Sequence, residues 1–218
     1  MSERDDRLVA GALNRALHES AVLGVVFAGG TSRRYGRDKL SSELHGIPLL
    51  RHVANRFGPQ VNRLAISGPP RPGFPYPSIP DQLPGAGPLG ALRSVLQLAV
   101  QRDWRFVATV SGDTPFIPRD MVSGLSAALK WHDCAVASRN GILHPTCAVW
   151  ATRACAKIEA GLNAGARSLR RAVSNLDAVE VNFSAADDAP RGDPFFNINS
   201  VEDMAVAQTW LTGRGRTE

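Results

Sequence analysis

The sequence predicts an α/β domain with a mainly parallel central sheet flanked by helices, and three observations carry that prediction. First, Val22–Phe27, Arg63–Ile66 and Phe106–Val110 are short, largely apolar runs, each stopped by a glycine turn at Gly29-Gly30, Ser67-Gly68 and Ser111-Gly112. Runs of this length without alternation read as strands buried on both faces. Second, helical patterns fall between them, and strands that alternate with helices build parallel sheets. Third, 218 residues with 44% hydrophobic and 21% charged side chains suffice for one large domain or one domain with a small appendage.

In chain order, residues 1–20 read as a helical extension, with Leu8, Ala12, Ala16 and Leu17 near one face. The domain itself is expected over 21–212, with a flexible tail over 213–218. After the first strand, Pro48 opens a helix that runs to about Phe57. Pro88 opens another, with Leu89, Leu92, Val95, Leu96 and Ala99 at helical spacing, and Pro118 precedes a third carrying Met121, Val122, Leu125, Ala128 and Leu129. From Gly68 to Pro88 the chain reads as loop, because eight prolines fall there (69, 70, 72, 75, 77, 80, 84 and 88). Cys134–Ser138 and Thr146–Trp150 read as a hairpin closed at Asn140-Gly141. Two helical stretches follow, then a strand at Ala178–Val181. Ser200 with Asp203 forms a capping box for a last helix carrying Met204, Ala207 and Leu211.

Composition bounds the function. There are 25 basic against 20 acidic residues, a formal charge of +5. Only Lys39, Lys130 and Lys157 are lysines, so each invites a local reason; the latter two read as solvated helix positions. The arginines are scattered without a stacked-aromatic pattern, which argues against nucleic acid as a partner. No apolar run approaches the roughly 20 residues of a membrane span, and the charged start does not read as a secretory signal. A soluble, cytoplasmic protein is expected. Cys134, Cys147 and Cys155 are widely spaced and read as reduced, mostly buried thiols.

Chemistry concentrates in three places. The segment from Phe27 to Lys39 (FAGGTSRRYGRDK) follows directly on the first strand. Glycines there let the backbone approach a ligand and turn N–H groups toward an anion, and Arg33, Arg34, Arg37 and Lys39 outweigh Asp38. It is neither a Walker A loop nor a G-x-G-x-x-G fingerprint. It fits a triphosphate site, or a tight turn with a solvated basic face. Asp113, just past the third strand, could hold Mg²⁺ against phosphates or could form an Asx turn before the next helix. Alternation sets Asn197 and Asn199 on one side of an extended segment. His144, in His144-Pro145-Thr146, taken alone reads as a structural hydrogen-bonding residue.

Taken together and in this order, these segments resemble the molybdenum cofactor guanylyltransferase family over about residues 22 to 211. The family's L-A-G-G-x-S-x-R-M-G-x-D-K loop is matched from Phe27 to Lys39, with Phe27 and Tyr35 in place of the usual Leu and Met. The segments 43–49, 87–90, 113–118, 144–146 and 196–200 continue the match. The resemblance implies a Rossmann-like nucleotidyltransferase fold that moves GMP from GTP to molybdenum-molybdopterin and releases pyrophosphate. It implies that Phe27, Ala28, Gly29, Gly30, Lys39, Ser67, Asp81 and Asp113 contribute to nucleotide binding, with Asp81 on the guanosine portion and Lys39 holding the phosphates, that Lys39, Asp113 and Arg34 are catalytic, and that Asp113 binds Mg²⁺. His144, Asn197 and Asn199 are implied on the acceptor side. Implied partners are GTP and the pterin, with transient contacts to molybdenum-inserting proteins and to apo-molybdoenzymes or their chaperones. Alternatives are a cytidylyltransferase on the same acceptor, a nucleotidyltransferase for another phosphorylated acceptor, and an inactive nucleotide-binding module. Ala28-Gly29-Gly30, where the cytidylyl relatives usually have Ala-Ala-Gly, favours guanine.

Overall fold

A computed structural model describes residues 21–29, 38–83 and 85–214. The extension over 1–20, together with Gly30, Arg33, Arg34, Tyr35 and Arg37, lies outside the described residues. The elements are β1 (Val22–Phe27), the short pair β2 (Glu43–Leu44) and β3 (Ile47–Pro48), α1 (Leu49–Phe57), β4 (Arg63–Ser67), β5 (Ser78–Ile79), α2 (Gly87–Gln101) and β6 (Phe106–Ser111). There follow α3 (Met121–Leu129), β7 (Cys134–Arg139), β8 (Ile142–Ala151), α4 (Cys155–Asn163), α5 (Leu169–Ser174), β9 (Ala178–Asn182) and α6 (Val201–Arg214).

Seven strands form one sheet in the order β5-β4-β1-β6-β8-β7-β9. β5, β4, β1 and β6 run parallel; β8 runs antiparallel to both β6 and β7, and β9 is parallel to β7. The sheet is mainly parallel. Period two explains the unbroken apolar run of β1: Val22 and Val26 face the layer of α1 and α3, while Leu23, Val25 and Phe27 face the layer of α2, α4 and α5. A smaller cluster seats α6 on the β2–β3 pair through Leu44, Leu49, Phe116, Ile198, Met204 and Ala207. Trp150, fully buried, donates its Nε1–H to Thr109 Oγ1 at 2.9 Å, so the largest core side chain carries no orphaned donor.

Two expectations need correction. The proline-rich segment is not loop throughout, since Ser78–Ile79 adds an edge strand to β4. Two residues suffice, because the flanking prolines need supply only carbonyls: Ile66 N–H donates to Pro77 O at 2.9 Å and Gly68 N–H to Ile79 O at 3.0 Å. β8 begins at Ile142, not Thr146, and so contains His144 and Pro145. A register shift between Val136 and Ala137 absorbs the proline, and Asn140 and Gly141 (φ 50° and 76°) close the hairpin at the expected place. α6 runs from Val201 to Arg214, and residues 215–218 of the expected tail lie outside the described residues. The Ser200/Asp203 capping box is formed, with bonds of 2.9 and 3.1 Å.

Both remaining lysines have local roles. Lys157, exposed on α4, pairs at 2.7 Å with the buried Asp133; Lys130 lies just past α3 at φ 40°, its ammonium 5.8 Å from the Trp131 ring centroid. Cys134 and Cys147 are buried and Cys155 half-buried; burial pushes the first two thiols up to about 12. Among the described residues no helix is long and apolar enough to cross a membrane.

Candidate active site

Four parallel strands end level with one another. Ile79 lies beside Ser67, Ser67 beside Phe27, and Phe27 beside Ser111. Gly29, Asp81 and Asp113 each follow that row by two residues, so they share the carboxyl edge of the sheet. β1 lies at the point where the strand order reverses, the usual ligand crevice of such sheets. From β5 to β6 is three strand spacings, about 14 Å, an extended trough with Asp81 at one end and Asp113 at the other.

The edge is knitted by backbone contacts that only small residues permit. Ala28 N–H donates to Ser67 O and Gly112 N–H to Phe27 O, both at 3.0 Å. Gly68, at φ +122°, packs so closely that a Cβ would sit 3.1 Å from Gly29 N. Phe27, Ala28 and Ser67 are therefore buried, and the Phe27 ring belongs to the core beside α2. Gly29 is the exposed member. Asp81 is half-exposed, and its Oδ1 accepts the Leu83 N–H at 2.9 Å in a turn leading into α2.

At the other end, Lys39 Nζ lies 2.6 Å from Asp113 Oδ2 and 3.1 Å from Asn199 Oδ1. Lys39 opens a short 3-10 turn, Lys39–Ser41, capped by Asp38. Ile198 N–H donates to Asp113 O at 2.9 Å, which ties the Asn197-Ile198-Asn199 strip to the loop after β6. Ile198 is buried while Asn197 and Asn199 are exposed together, as alternation predicts. Asp203 Oδ2 accepts the Asn199 N–H at 2.9 Å, so the cap of α6 also fixes this strip.

His144 lies on β8, the neighbour of β6, and stacks on Phe195 with ring centroids 4.3 Å apart and planes at 21°. Burial pushes its imidazole below the ordinary value; Arg170 and Arg139 act in the same direction, and Asp193 opposes them. Its charged form is disfavoured, and the contact the ring makes is the stack on Phe195.

Arg71 was not legible as a site residue. Its Nη2 donates to Ala28 O at 2.9 Å, and its Nη1 pairs with the Asp38 carboxylate. Burial raises the Asp38 carboxyl, but hydrogen bonds from Ser41 and Arg71 outweigh it and hold the group below its usual value. One arginine among 22, without a local pattern, gives no signal in sequence.

Among the described residues no three His, Cys, Asp or Glu side chains converge on a metal position. Asp113 contributes one carboxylate at its end of the trough, with Asp81 at the other end. That suits a hard cation which keeps most of its shell as water and substrate phosphate, the habit of Mg²⁺, and would not suit a metal caged entirely by protein. A cavity of about 1270 Å³ is lined by Leu23, Leu64, Tyr76 and Trp104 among others. None of Lys39, Asp113, His144 and Asn199 lines it, so size does not locate the chemistry here.

Residues 24–179 match the family model described as a MobA-like NTP transferase domain. The molybdenum cofactor guanylyltransferase of Rhizobium leguminosarum bv. trifolii is 37% identical over 201 residues, covering 90% of this chain and 96% of the relative. That of Mesorhizobium japonicum is 38% identical over 200 residues, with 87% and 96% covered. Among solved structures, the Archaeoglobus fulgidus molybdopterin-guanine dinucleotide biosynthesis protein A superposes with a TM-score of 0.69 at 20% identity, covering 88% of this chain and 99% of that one. That likeness concerns the fold.

Proposed function

The chain belongs to the molybdenum cofactor guanylyltransferase family and is a nucleotidyltransferase, and on that premise we propose that it transfers GMP from GTP to molybdenum-molybdopterin, releasing pyrophosphate, in the cytoplasm. The observation that carries this reading is the convergence of Lys39, Asp113 and Asn199 at one end of a trough whose floor is the glycine-lined carboxyl edge of the sheet.

In this reading the nucleotide lies along the edge, its base toward Asp81 and its phosphates toward Gly29 and Lys39. Transfer of this kind is mostly positioning and neutralisation of developing charge. Lys39 follows the phosphates as a compact ammonium on a flexible stem, and Gly29 presents backbone with no side chain in the way. Arg34 and Gly30 belong to the same proposal, from the motif. Asp113 would hold Mg²⁺, which when bound neutralises phosphate charge. Asn199 takes a hydrogen bond from Lys39 and keeps the ammonium aimed at the edge. The nucleophile is the acceptor's own phosphate, so no Ser–His or Cys–His pair is needed. His144, Asn197 and Asn199 form the flank on which the pterin acceptor rests. The acceptor arrives from molybdenum-inserting proteins and the product leaves to apo-molybdoenzymes or their chaperones, so transient contacts with both belong to the proposal.

The test is transfer to molybdopterin-loaded acceptor with Mg²⁺, comparing GTP with CTP and following pyrophosphate release. GTP-dependent formation of the dinucleotide is expected. Faster turnover with CTP would replace guanine by cytosine in this reading, and no turnover with either would remove the pterin assignment.

A further inference from the structure

We propose that Arg71, carried on the proline-rich loop, is a positioning residue that clamps both ends of the glycine- and arginine-rich loop and so sets the nucleotide site. The proposal rests on the nucleotidyltransferase reading above. Ala28 and Asp38 bracket that loop, and one planar guanidinium holds both: Nη2 donates to the Ala28 carbonyl at 2.9 Å while Nη1 pairs with the Asp38 carboxylate. Two nitrogens of a rigid fork fix the separation of their two acceptors, which a single ammonium could not do.

Each clamped residue passes the constraint onward. Ala28 is held from its other side by the Ser67 carbonyl at 3.0 Å. Asp38 accepts the Ser41 hydroxyl at 2.7 Å and the Leu40 N–H at 3.3 Å, so its orientation sets the turn from which Lys39 projects toward Asp113. The chain of contacts runs from Arg71 through Asp38 to the base of Lys39.

The prolines acquire a purpose from this geometry. Pro69, Pro70 and Pro72 fix φ on both sides of Arg71, and Pro72 also keeps Arg71 itself out of the helical region. The loop is anchored beyond them: Arg51 Nη2 donates to Gly73 O at 2.9 Å, and Phe74 and Tyr76, with ring centroids 5.0 Å apart, pack against the core. Arg71 is thus delivered by a stiff arm, and its side chain is only 16% exposed. Little conformational freedom is lost when the clamp closes.

The experiment is steady-state kinetics of the purified full chain with GTP and acceptor varied separately. Arg71→Ala is expected to raise KM for GTP by roughly tenfold or more, the loss of charge-assisted hydrogen bonds, with KM for the acceptor unchanged. Arg71→Lys is expected to fall between the two. Because Arg71 acts through Asp38, Arg71→Ala combined with Asp38→Asn should be little worse than Asp38→Asn alone. The pair Pro70→Gly and Pro72→Gly, leaving Arg71 in place, should raise KM for GTP by about threefold through loosening of the arm. A merely structural role would lower the melting temperature and the active fraction while leaving KM of the folded enzyme unchanged. Unchanged KM for GTP in Arg71→Ala, or full additivity with Asp38→Asn, overturns the clamp alone. Absence of any nucleotide-dependent turnover in the wild-type chain overturns the functional reading and the clamp with it.

Discussion

Lys39 and Asp113, 74 residues apart in the chain, meet with Nζ 2.6 Å from the carboxylate, and both side chains are largely buried, at 12% and 15% exposure. Each charge satisfies the other at the carboxyl edge of the sheet. A triphosphate and its cation would offer each a new partner of the right sign, so binding exchanges ionic contacts without leaving a bare charge in the protein.

Lys39→Ala and Asp113→Ala are each expected to cut guanylyl transfer by more than tenfold while circular dichroism stays native. A single charge-stabilising donor is worth about 2.7–4 kcal/mol where one has been removed from an oxyanion hole. Groups that act as a unit are not additive, so the double variant should be little worse than the poorer single one. Initial rates decide it, and a near-normal rate in either variant removes that residue from the mechanism.

Asp203 holds the N–H groups of both Asn199 and Ser200 at 2.9 Å. Asp203→Ala should therefore cost about 1 kcal/mol of stability, as other cap losses do, and also lower transfer severalfold, because Asn199 then no longer steadies Lys39. Ser200→Ala, which removes the other half of the box, should lower the melting temperature with little effect on rate. Equal rates in both variants would separate the cap from the site.

Gly68→Ala tests the close approach under the trough. Its Cβ would meet Gly29 N at 3.1 Å and Gly29 Cα at 3.2 Å, at a φ of +122° that L side chains rarely adopt. A cost of about 1–3 kcal/mol follows from such backbone strain, with KM for GTP raised because Gly29 is displaced. Melting curves and KM check the two halves separately.

The depressed His144 imidazole predicts a pH dependence of stability. Burial lowers its folded value, aided by Arg170 and Arg139 and opposed by Asp193. The unfolded chain therefore takes up the proton first as pH falls below about 6.5, and the folded state loses stability from there until its own imidazole is protonated. His144→Phe keeps a ring against Phe195 and removes the titration. The melting temperature of the wild-type chain should fall more steeply than that of the variant between neutral pH and pH 5. Parallel curves would show that His144 does not contribute.

Much of the sheet could be read in advance because its signals are local. The runs at Val22–Phe27, Arg63–Ile66 and Phe106–Val110 needed no partners to be recognised, and neither did the glycine that stops each one. The Ser200/Asp203 box and the alternation of Asn197 with Asn199 span only a few residues and were equally plain. The two-residue strand Ser78–Ile79 was not, since prolines mask a strand that borrows its pairing from β4. Nor was the reach of β8 across His144, where a bulge makes room for Pro145. The partner of Lys157 was hidden too, because Asp133 lies on a different element.

The alternation of strands and helices, the glycine-rich turns at the strand ends and the chemical character of the residues placed there all follow from spacing and side-chain type over a few positions. Which of those residues meet is set by packing across the whole sheet. Lys39 reaches Asp113 and Asn199 because parallel strands end level and α6 folds back over β2 and β3. Arg71 reaches Ala28 and Asp38 because a proline-stiffened loop returns to the edge of β1. Side chains separated by 33 to 160 positions become neighbours through strand order and register, and contacts of that range arise only from the packing of the whole sheet.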